Sequence, residues 1–346
     1  MTTSSTFARP ALAPAPGSLL TEHALGARRF LELVDLATDL KAAHTGGYEV
    51  PRLAGKQIAL VFEKASTRTR CAFEVAAKDQ GAHTTYLGPE GSHIGREESI
   101  ADTAQVLGHL YDGIEFRGFA QDTLEELAAY ARVPVWNGLT DQWHPTQMLA
   151  DVLTIRETVG KELRNVAWTY IGDARNNVAR SILVTGAMLG MDVRIAAPVA
   201  LQPPADVQEL AVELARGSGG GTWVTDDPAS ALAGADVVYT DTWVSMGEPD
   251  TVWDQRVSLL RPYRVTAELM AATGKPATRF MHCLPSIHDD RTELGRRIHD
   301  RYGLRGAEVA DDVFGSPASV VFQQAENRMH TIKAVLVSSL ATGKGE

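Results

Sequence analysis

The sequence predicts an α/β protein: two doubly wound parallel-sheet domains, linked by helices, with a cleft between them. Three observations predict it. Short β-rich runs alternate with helical runs along most of the 346 residues, the order that builds parallel sheets. The polar and chemically versatile residues gather just after the strand candidates, where ligands sit in such sheets. A long amphipathic stretch at the C-terminus has the length to pack back across the first half.

Residues 1–18, rich in Ser, Thr, Ala and Pro with Arg9 as the only charged side chain, read as a disordered tail. Pro10, Pro14 and Pro16 break any signal-peptide core. A first helix is expected at about 27–43. Strands follow at 57–62, 83–87, 113–117 and 133–136, with helices at 67–80, 97–111 and 123–131 between them. Pro145 in a first helical position opens a helix to about Val159, the connection between halves. The second alternation has strands near 166–171, 192–196, 222–225, 236–241 and 278–283. The stretch Gly217–Gly221 reads as a loop, and Ser245 to Asp250 as a turn-rich, mobile segment. The expected division is 19–150, then 151–316, with the helix 317–340 returning to the first domain.

Composition bounds the function. A formal charge of -10 argues against general nucleic-acid binding. No apolar run reaches the roughly 18 residues that suggest a membrane span. Only Cys71 and Cys283 occur, too few for a disulfide framework or thiolate cluster, which fits a reducing, cytoplasmic setting.

The stretch Ser66-Thr67-Arg68-Thr69-Arg70 follows the first strand and opens a helix. Ser66 is a good N-cap; free backbone N–H groups, the macrodipole, hydroxyls and guanidiniums converge there on an anion such as phosphate or carboxylate. Arg117, His144, Gln147, Asn177, Asp241, Ser245, Met246, Cys283 and Leu284 follow later strands. Taken singly, each has an ordinary explanation: a surface ion pair for Arg117, a helix cap for His144 or Asn176-Asn177, a strand-end turn for Asp241. Cys283 beside His282 invites a thiolate reading, although a lone Cys in such a run is more often buried and inert. A His-Cys pair without further close ligands does not make a closed zinc site. Gly172 to Asn177 lies where a dinucleotide loop would, yet lacks the second and third glycines.

In order, these elements resemble those of the carbamoyltransferases, from about residue 20 to 340. Ser66 to Arg70 and His144-Pro145-Thr146-Gln147 resemble the two carbamoyl-phosphate elements of the superfamily. Asp241 to Gly247 and His282-Cys283-Leu284-Pro285 resemble the ornithine-type elements. The resemblance implies a carbamoyl-phosphate domain followed by an amino-acid domain, a homotrimer with sites at subunit interfaces, and neither metal nor organic cofactor. It implies carbamoyl transfer from carbamoyl phosphate to the δ-amine of L-ornithine, giving citrulline and phosphate.

By the same resemblance Ser66, Thr67, Arg68, Thr69 and Arg70 hold the phosphate, and Arg117, His144 and Thr69 the carbonyl oxygen. Gln147, the Leu284 carbonyl and Arg328 complete that pocket, with His93 reaching in from the neighbouring subunit. Asp241 takes the α-ammonium of ornithine, Asn177 and the Met246 backbone its carboxylate, with Ser245 beside them, and Cys283 lies near the attacking amine. Ser286-Ile287-His288-Asp289 stands where Ala-Phe-His-Asp is usual in the family. The rival readings are a carbamoyltransferase for putrescine, lysine or an acylated ornithine, and a non-catalytic protein that binds phosphorylated metabolites.

Overall fold

The computed structural model describes residues 13–90, 98–245 and 248–341. Helix α1 (Glu22–Thr45) leads into β1 (Gln57–Phe62), α2 (Thr67–Asp79), β2 (His83–Leu87), α3 (Ile100–Leu110), β3 (Gly113–Arg117), α4 (Gln121–Ala131) and β4 (Val135–Leu139). These strands form one parallel sheet in the order β2-β1-β3-β4. Helix α5 (Pro145–Val159) crosses to a second sheet built from β5 (Ala167–Ile171), β6 (Asp192–Ala196), β7 (Gly221–Thr225), β8 (Val237–Tyr239) and β9 (Arg279–Met281). Its order is β7-β6-β5-β8-β9, again all parallel. Helices α6 (Asn177–Met188), α7 (Ala205–Ser218), α8 (Pro228–Leu232), α9 (Trp253–Leu260), α10 (Ala267–Ala271), α11 (Glu293–Tyr302) and α12 (Asp311–Phe314) surround it. Among the described residues, no helix is long and apolar enough to cross a membrane.

The strand orders place two crevices. In the first sheet the chain reverses direction between β1 and β3, so the ends of these strands, Phe62 onward and Arg117, open onto one gap. In the second the reversal lies between β5 and β8, which sets Gly172–Asn177 beside Asp241. Helix α13 (Val321–Leu340) returns from the second sheet and packs on α1, α2 and α5. Its buried side chains, Ile332, Val335 and Leu336 among them, join the largest hydrophobic core.

Several boundaries differ from the sequence reading. Helix α1 begins five residues early, because Thr21 caps a short turn that Gly26 (φ 70°, ψ 159°) separates from the regular helix. Strand β4 lies later than 133–136 and runs through Asn137-Gly138, a turn signal by composition. Asn137 is held in the strand by Leu19 and Leu20, whose carbonyls accept from its backbone and side-chain N–H at 2.8 Å. Gly138 is required there, since a Cβ on it would fall 1.9 Å from Glu115 Oε1. Only Gly219 and Gly220 turn between α7 and β7; the rest of the expected loop is helix end and strand start. Strands β8 and β9 stop at Tyr239 and Met281, which frees residues 240–241 and 282–283 to enter the cleft. The last helix starts at Val321 instead of 317, after α12 and the Ser316-Pro317 turn.

The fully buried Lys333 of α13 holds α2 to the chain before β1: its Nζ lies 2.8 Å from Glu49 and 2.9 Å from Asp79. Removing one partner of such a pair leaves charge behind without compensation. Lys333→Ala is expected to lose on the order of 3 kcal/mol in denaturant unfolding; a loss within about 0.5 kcal/mol, the range of ordinary surface changes, contradicts this role.

Candidate active site

The first crevice is built on the N-terminus of α2. Ser66, in extended conformation (φ -156°), caps the helix, its Oγ accepting from Thr69 N at 3.3 Å. That places the fully buried Thr69 hydroxyl under the sheet end. Arg117 Nη1 donates to Thr69 Oγ1 at 3.2 Å, and Arg328 Nη2, from α13, donates to the same oxygen at 3.1 Å. Arg328 Nη1 also reaches Gln147 Oε1 at 2.8 Å and His144 Nε2 at 3.3 Å. Because guanidinium only donates, His144 Nε2 accepts and the ring proton sits on Nδ1, a buried donor with no partner among the described residues.

The electrostatics are lopsided. Burial, aided by the other guanidiniums, lowers the pKa of Arg117 and Arg328 to about 10; both stay charged at neutral pH. Burial, then Arg328 and Arg117, holds His144 well below its usual range, so its imidazole is neutral. Burial also lowers Arg68, against the pull of Cys283 and Asp241, which brings its side chain within electrostatic reach of the second half. Among the described residues, no carboxylate lies within 4.0 Å of the nitrogens of Arg68, Arg117 or Arg328. Arg70 is not part of this group. It is exposed, pairs with Glu74 at 2.8 Å and stacks 3.9 Å over the Tyr86 ring.

Gln147 is fixed at both ends. Its Nε2 donates to Asp151 Oδ1 at 2.7 Å, one turn along α5, while its Oε1 receives Arg328. Gln324 Nε2 donates to the same Asp151 oxygen at 2.7 Å, and Gln324 Oε1 accepts from His282 N at 3.0 Å. One chain of hydrogen bonds thus ties the first crevice to the loop after β9. Burial pushes the Asp151 carboxyl up to about 7.

Across the cleft, Cys283 Sγ donates to Asp241 Oδ1 at 3.2 Å, and that oxygen also accepts from Thr242 N at 2.8 Å. Burial, reinforced by Asp241, drives the Cys283 thiol well above its ordinary range. It is a thiol donor, and the thiolate reading falls away. Burial also raises Asp241. Leu284 adopts φ 60°, uncommon for a residue with a side chain, and its N–H donates to His282 Nδ1 at 2.9 Å. His282 Nε2 faces Glu308 at 3.4 Å, and Glu308 Oε1 also accepts from Ser286 Oγ at 3.0 Å. Donor atoms of Asp241, His282 and Cys283 lie within 4.8 Å of one another. They are engaged with each other, with Leu284 and with Glu308.

The structure therefore brings Thr69, Arg117, His144, Gln147 and Arg328 into direct contact, and Asp241 with Cys283. Asn177 is placed differently: its Nδ2 donates to the Thr140 carbonyl, bridging the halves. Asn176, which caps α6, extends its Nδ2 to Tyr170 Oη at 2.9 Å and Asp241 Oδ2 at 3.5 Å. Ser245 is exposed at the end of its loop, its N–H held by Glu248 at 2.8 Å. His93 and Met246 lie outside the described residues. Sequence reasoning missed Asp151, four residues after Gln147 on one helix face, and Glu115, two before Arg117 on one strand face; both spacings were readable. Gln324 and Glu308 act through contacts remote in sequence and left no local signal. With its thiol protonated, Cys283 should react with iodoacetamide far more slowly at pH 7.5 than a free thiol of pKa about 8.5, and faster as pH rises. Complete labelling of Cys283 within minutes at pH 7.5, read by peptide mass spectrometry, contradicts the thiol assignment.

Residues 18–157 match the family model "Aspartate/ornithine carbamoyltransferase, carbamoyl-P binding domain", and residues 164–339 match "Aspartate/ornithine carbamoyltransferase, Asp/Orn binding domain". A catabolic ornithine carbamoyltransferase of Pseudomonas putida is 57% identical over 316 residues, 91% of this chain and 94% of that protein. The ornithine carbamoyltransferase of Actinobacillus pleuropneumoniae is 58% identical over 311 residues, covering 89% and 93%. The solved ornithine carbamoyltransferase of Pyrococcus furiosus superposes with a TM-score of 0.86 at 40% identity, over 97% of this chain and all of that one. Fold, site geometry and these similarities agree, and the chain belongs to the aspartate/ornithine carbamoyltransferase family.

Proposed function

We propose that the protein is an ornithine carbamoyltransferase, moving the carbamoyl group of carbamoyl phosphate to the δ-amine of L-ornithine and so serving arginine metabolism. One observation carries the reading: two buried guanidiniums converge on Thr69, one of them also on a neutral imidazole, without a carboxylate paired to them among the described residues. Such a site is preorganised for a substrate that brings its own negative charge and a carbonyl that gains more. The 57% and 58% identical relatives support ornithine as the acceptor.

In this reading the phosphate lies on the α2 N-terminus, held by Ser66, Thr67, Arg68 and Thr69. Arg117, Arg328 and His144 surround the carbonyl oxygen, where charge collects as the tetrahedral intermediate forms. The second lone pair of Gln147 Oε1 and the Leu284 carbonyl accept from the carbamoyl amide. Asp241 pairs with the α-ammonium of ornithine; its carboxylate is assigned to Asn176, Asn177 and the Met246 backbone. The neutral δ-nitrogen attacks the carbonyl carbon, a C–N bond forms, and the C–O bond to phosphate breaks with the electron pair leaving on phosphate. The nitrogen then gives up its extra proton to water. Cys283 stays a thiol throughout, so the transfer is direct.

The domain division 19–150 and 151–316, with 317–340 returning to the first, assigns each substrate to one half. Closure of the Ser245-Met246-Gly247 loop over the second substrate, a cytoplasmic location and assembly as a homotrimer, with His93 entering a neighbour's site, belong to the same proposal. Asp241 favours an acceptor with a free α-ammonium over putrescine or an acylated ornithine.

Product analysis with carbamoyl phosphate and ornithine, putrescine or lysine offered separately should show citrulline from ornithine as the dominant product. Citrulline no higher than in the enzyme-free control contradicts the proposal. Arg68→Ala should weaken carbamoyl-phosphate binding by roughly 10²-fold while the protein still melts cooperatively; unchanged binding would move the phosphate elsewhere. Since free alkylamines titrate near pKa 10, kcat/KM for ornithine should rise as pH goes from 7 to 9. A flat profile contradicts attack by the neutral amine.

A further inference from the structure

Lys64 stands two residues before the Ser66 cap and takes no part in the reaction above. Its Nζ donates to Asp141 Oδ1 and lies 4.1 Å from the centroid of the Phe119 ring. A lysine in an ordinary surface pair keeps its ammonium in water, and such a pair contributes little to stability. Here the Asp141 side chain is 59% exposed, while that of Lys64 is only 8% exposed. Burying so long and flexible a stem costs conformational freedom, and the Phe119 ring face gives back part of it through the cation–π contact. The chain accepts this cost at a point where three strand ends meet.

The backbone around Lys64 shows what the pair joins. Past β1, Glu63 N donates to the Arg117 carbonyl at 2.8 Å, and Glu63 Oε2 accepts from Phe119 N at 2.9 Å, so the end of β1 is fixed to the turn that follows Arg117. Past β3, Gly118 N donates to the Leu139 carbonyl at 3.0 Å, and the Phe119 carbonyl accepts from Asp141 N at 2.8 Å, which fixes that turn to the end of β4. The segment 140–144 is tied in addition to α6 of the second half: Asn177 donates to the Thr140 carbonyl, and Ser181 Oγ accepts from His144 N at 3.0 Å. Between 63–68, which opens α2, and 140–144, which ends in His144, the bond from Lys64 to Asp141 is the only direct hydrogen bond among the described residues. Without it the His144 segment follows α6, and the α2 N-terminus follows β1.

We propose that Lys64 is a positioning residue for carbamoyl transfer: its ammonium clamps the segment that carries His144 to the N-terminus of α2, and so fixes the separation between the groups that hold the phosphate and the groups around the carbonyl oxygen. This rests on the placement of carbamoyl phosphate proposed above. The C–O bond that breaks lies between those two sets of groups, so both must stay in register while charge moves from one end of the substrate to the other. Lys64 itself touches neither end; it acts through Asp141 on the His144 side and through the backbone of residues 64–66 on the phosphate side. Loss of the clamp therefore leaves phosphate a complete binding site and leaves the oxyanion a misplaced one, and a displacement of about 1 Å is enough to cost on the order of 10²-fold in rate.

The test is a double-mutant cycle on Lys64→Met, which keeps the apolar stem and removes the ammonium, and Asp141→Ala, which removes the other end of the bond from an exposed residue and decides the matter even if Lys64→Met does not fold. Citrulline formation at saturating carbamoyl phosphate and ornithine gives kcat, and calorimetric titration with inorganic phosphate gives the anion affinity, both well below the melting temperature. Each single variant should lose roughly 10- to 10²-fold in kcat. The phosphate dissociation constant should stay within about twofold of wild type, and the double variant should lose no more than the worse single one, as expected of two residues that act as a unit. Wild-type kcat in Asp141→Ala overturns the proposal, as does a Lys64→Met protein that melts lower but turns over normally. Losses that multiply in the double variant overturn it, because the two residues would then act separately. Recovery of kcat on adding Asp141→Ala to Lys64→Met also overturns it, since Lys64 would then serve only to mask a carboxylate near the anion site. A phosphate affinity that falls as far as kcat makes Lys64 a ligand to the anion and contradicts a positioning role. Absence of citrulline from the wild type would instead overturn the transfer reaction itself, an outcome distinct from all of these.

Discussion

One hydroxyl oxygen organises the molecule. Thr69 Oγ1 accepts from Arg117 and from Arg328, two like charges drawn to a single point inside the protein. In water such an arrangement would open out. Here α2, β3 and α13 are each anchored elsewhere: α2 by its Ser66 cap, β3 by parallel pairing on both sides, and α13 by the Lys333 pairs and the apolar face it buries against α1, α2 and α5. The folding of the rest of the chain sustains the crowding. Positive charge is stored in a dry site, where its interaction with an incoming anion is worth far more than at the surface.

The second half answers with groups of the other kind. Asp241 and Cys283, freed by the early ends of β8 and β9, present one carboxylate and one thiol toward the cleft. Leu284 is held in its left-handed conformation by His282, which is itself fixed by Gln324 and faces Glu308. Through Gln324 and Asp151 this loop shares a hydrogen-bond network with Gln147 and hence with Arg328. Each half thus constrains the geometry of the other before any ligand is present. That is what bringing two substrates into line requires, since holding reacting groups together can supply on the order of 10 kcal/mol of the barrier.

Much of this was legible in the sequence because it depends on local rules. Alternating strand and helix patterns gave both sheets, and Ser66 to Arg70 carried its cap and its charges within a single turn. Polar residues at strand ends marked Arg117, His144, Asp241 and Cys283. What stayed hidden depends on contacts between distant segments. Asn137-Gly138 looked like a turn, and only Leu19, Leu20 and Glu115 explain why it is strand. Arg70 looked like part of the anion site, yet the helix turns it outward to Glu74 and Tyr86. Nothing in the sequence around Asn177 signals that its amide donates to the Thr140 carbonyl across the domain junction. Spacing identifies which side chains can share a face, and packing decides which of them meet.

The central claim, that the Thr69 hydroxyl gathers the guanidiniums that stabilise the developing oxyanion, is most directly tested by the kcat of Thr69→Val, which keeps the shape of the side chain and removes its oxygen. The account predicts a fall of roughly 10²–10³-fold in citrulline formation, the range seen for loss of one oxyanion donor, with the KM for ornithine and the melting temperature little changed. A Thr69→Val enzyme with the wild-type kcat would contradict it.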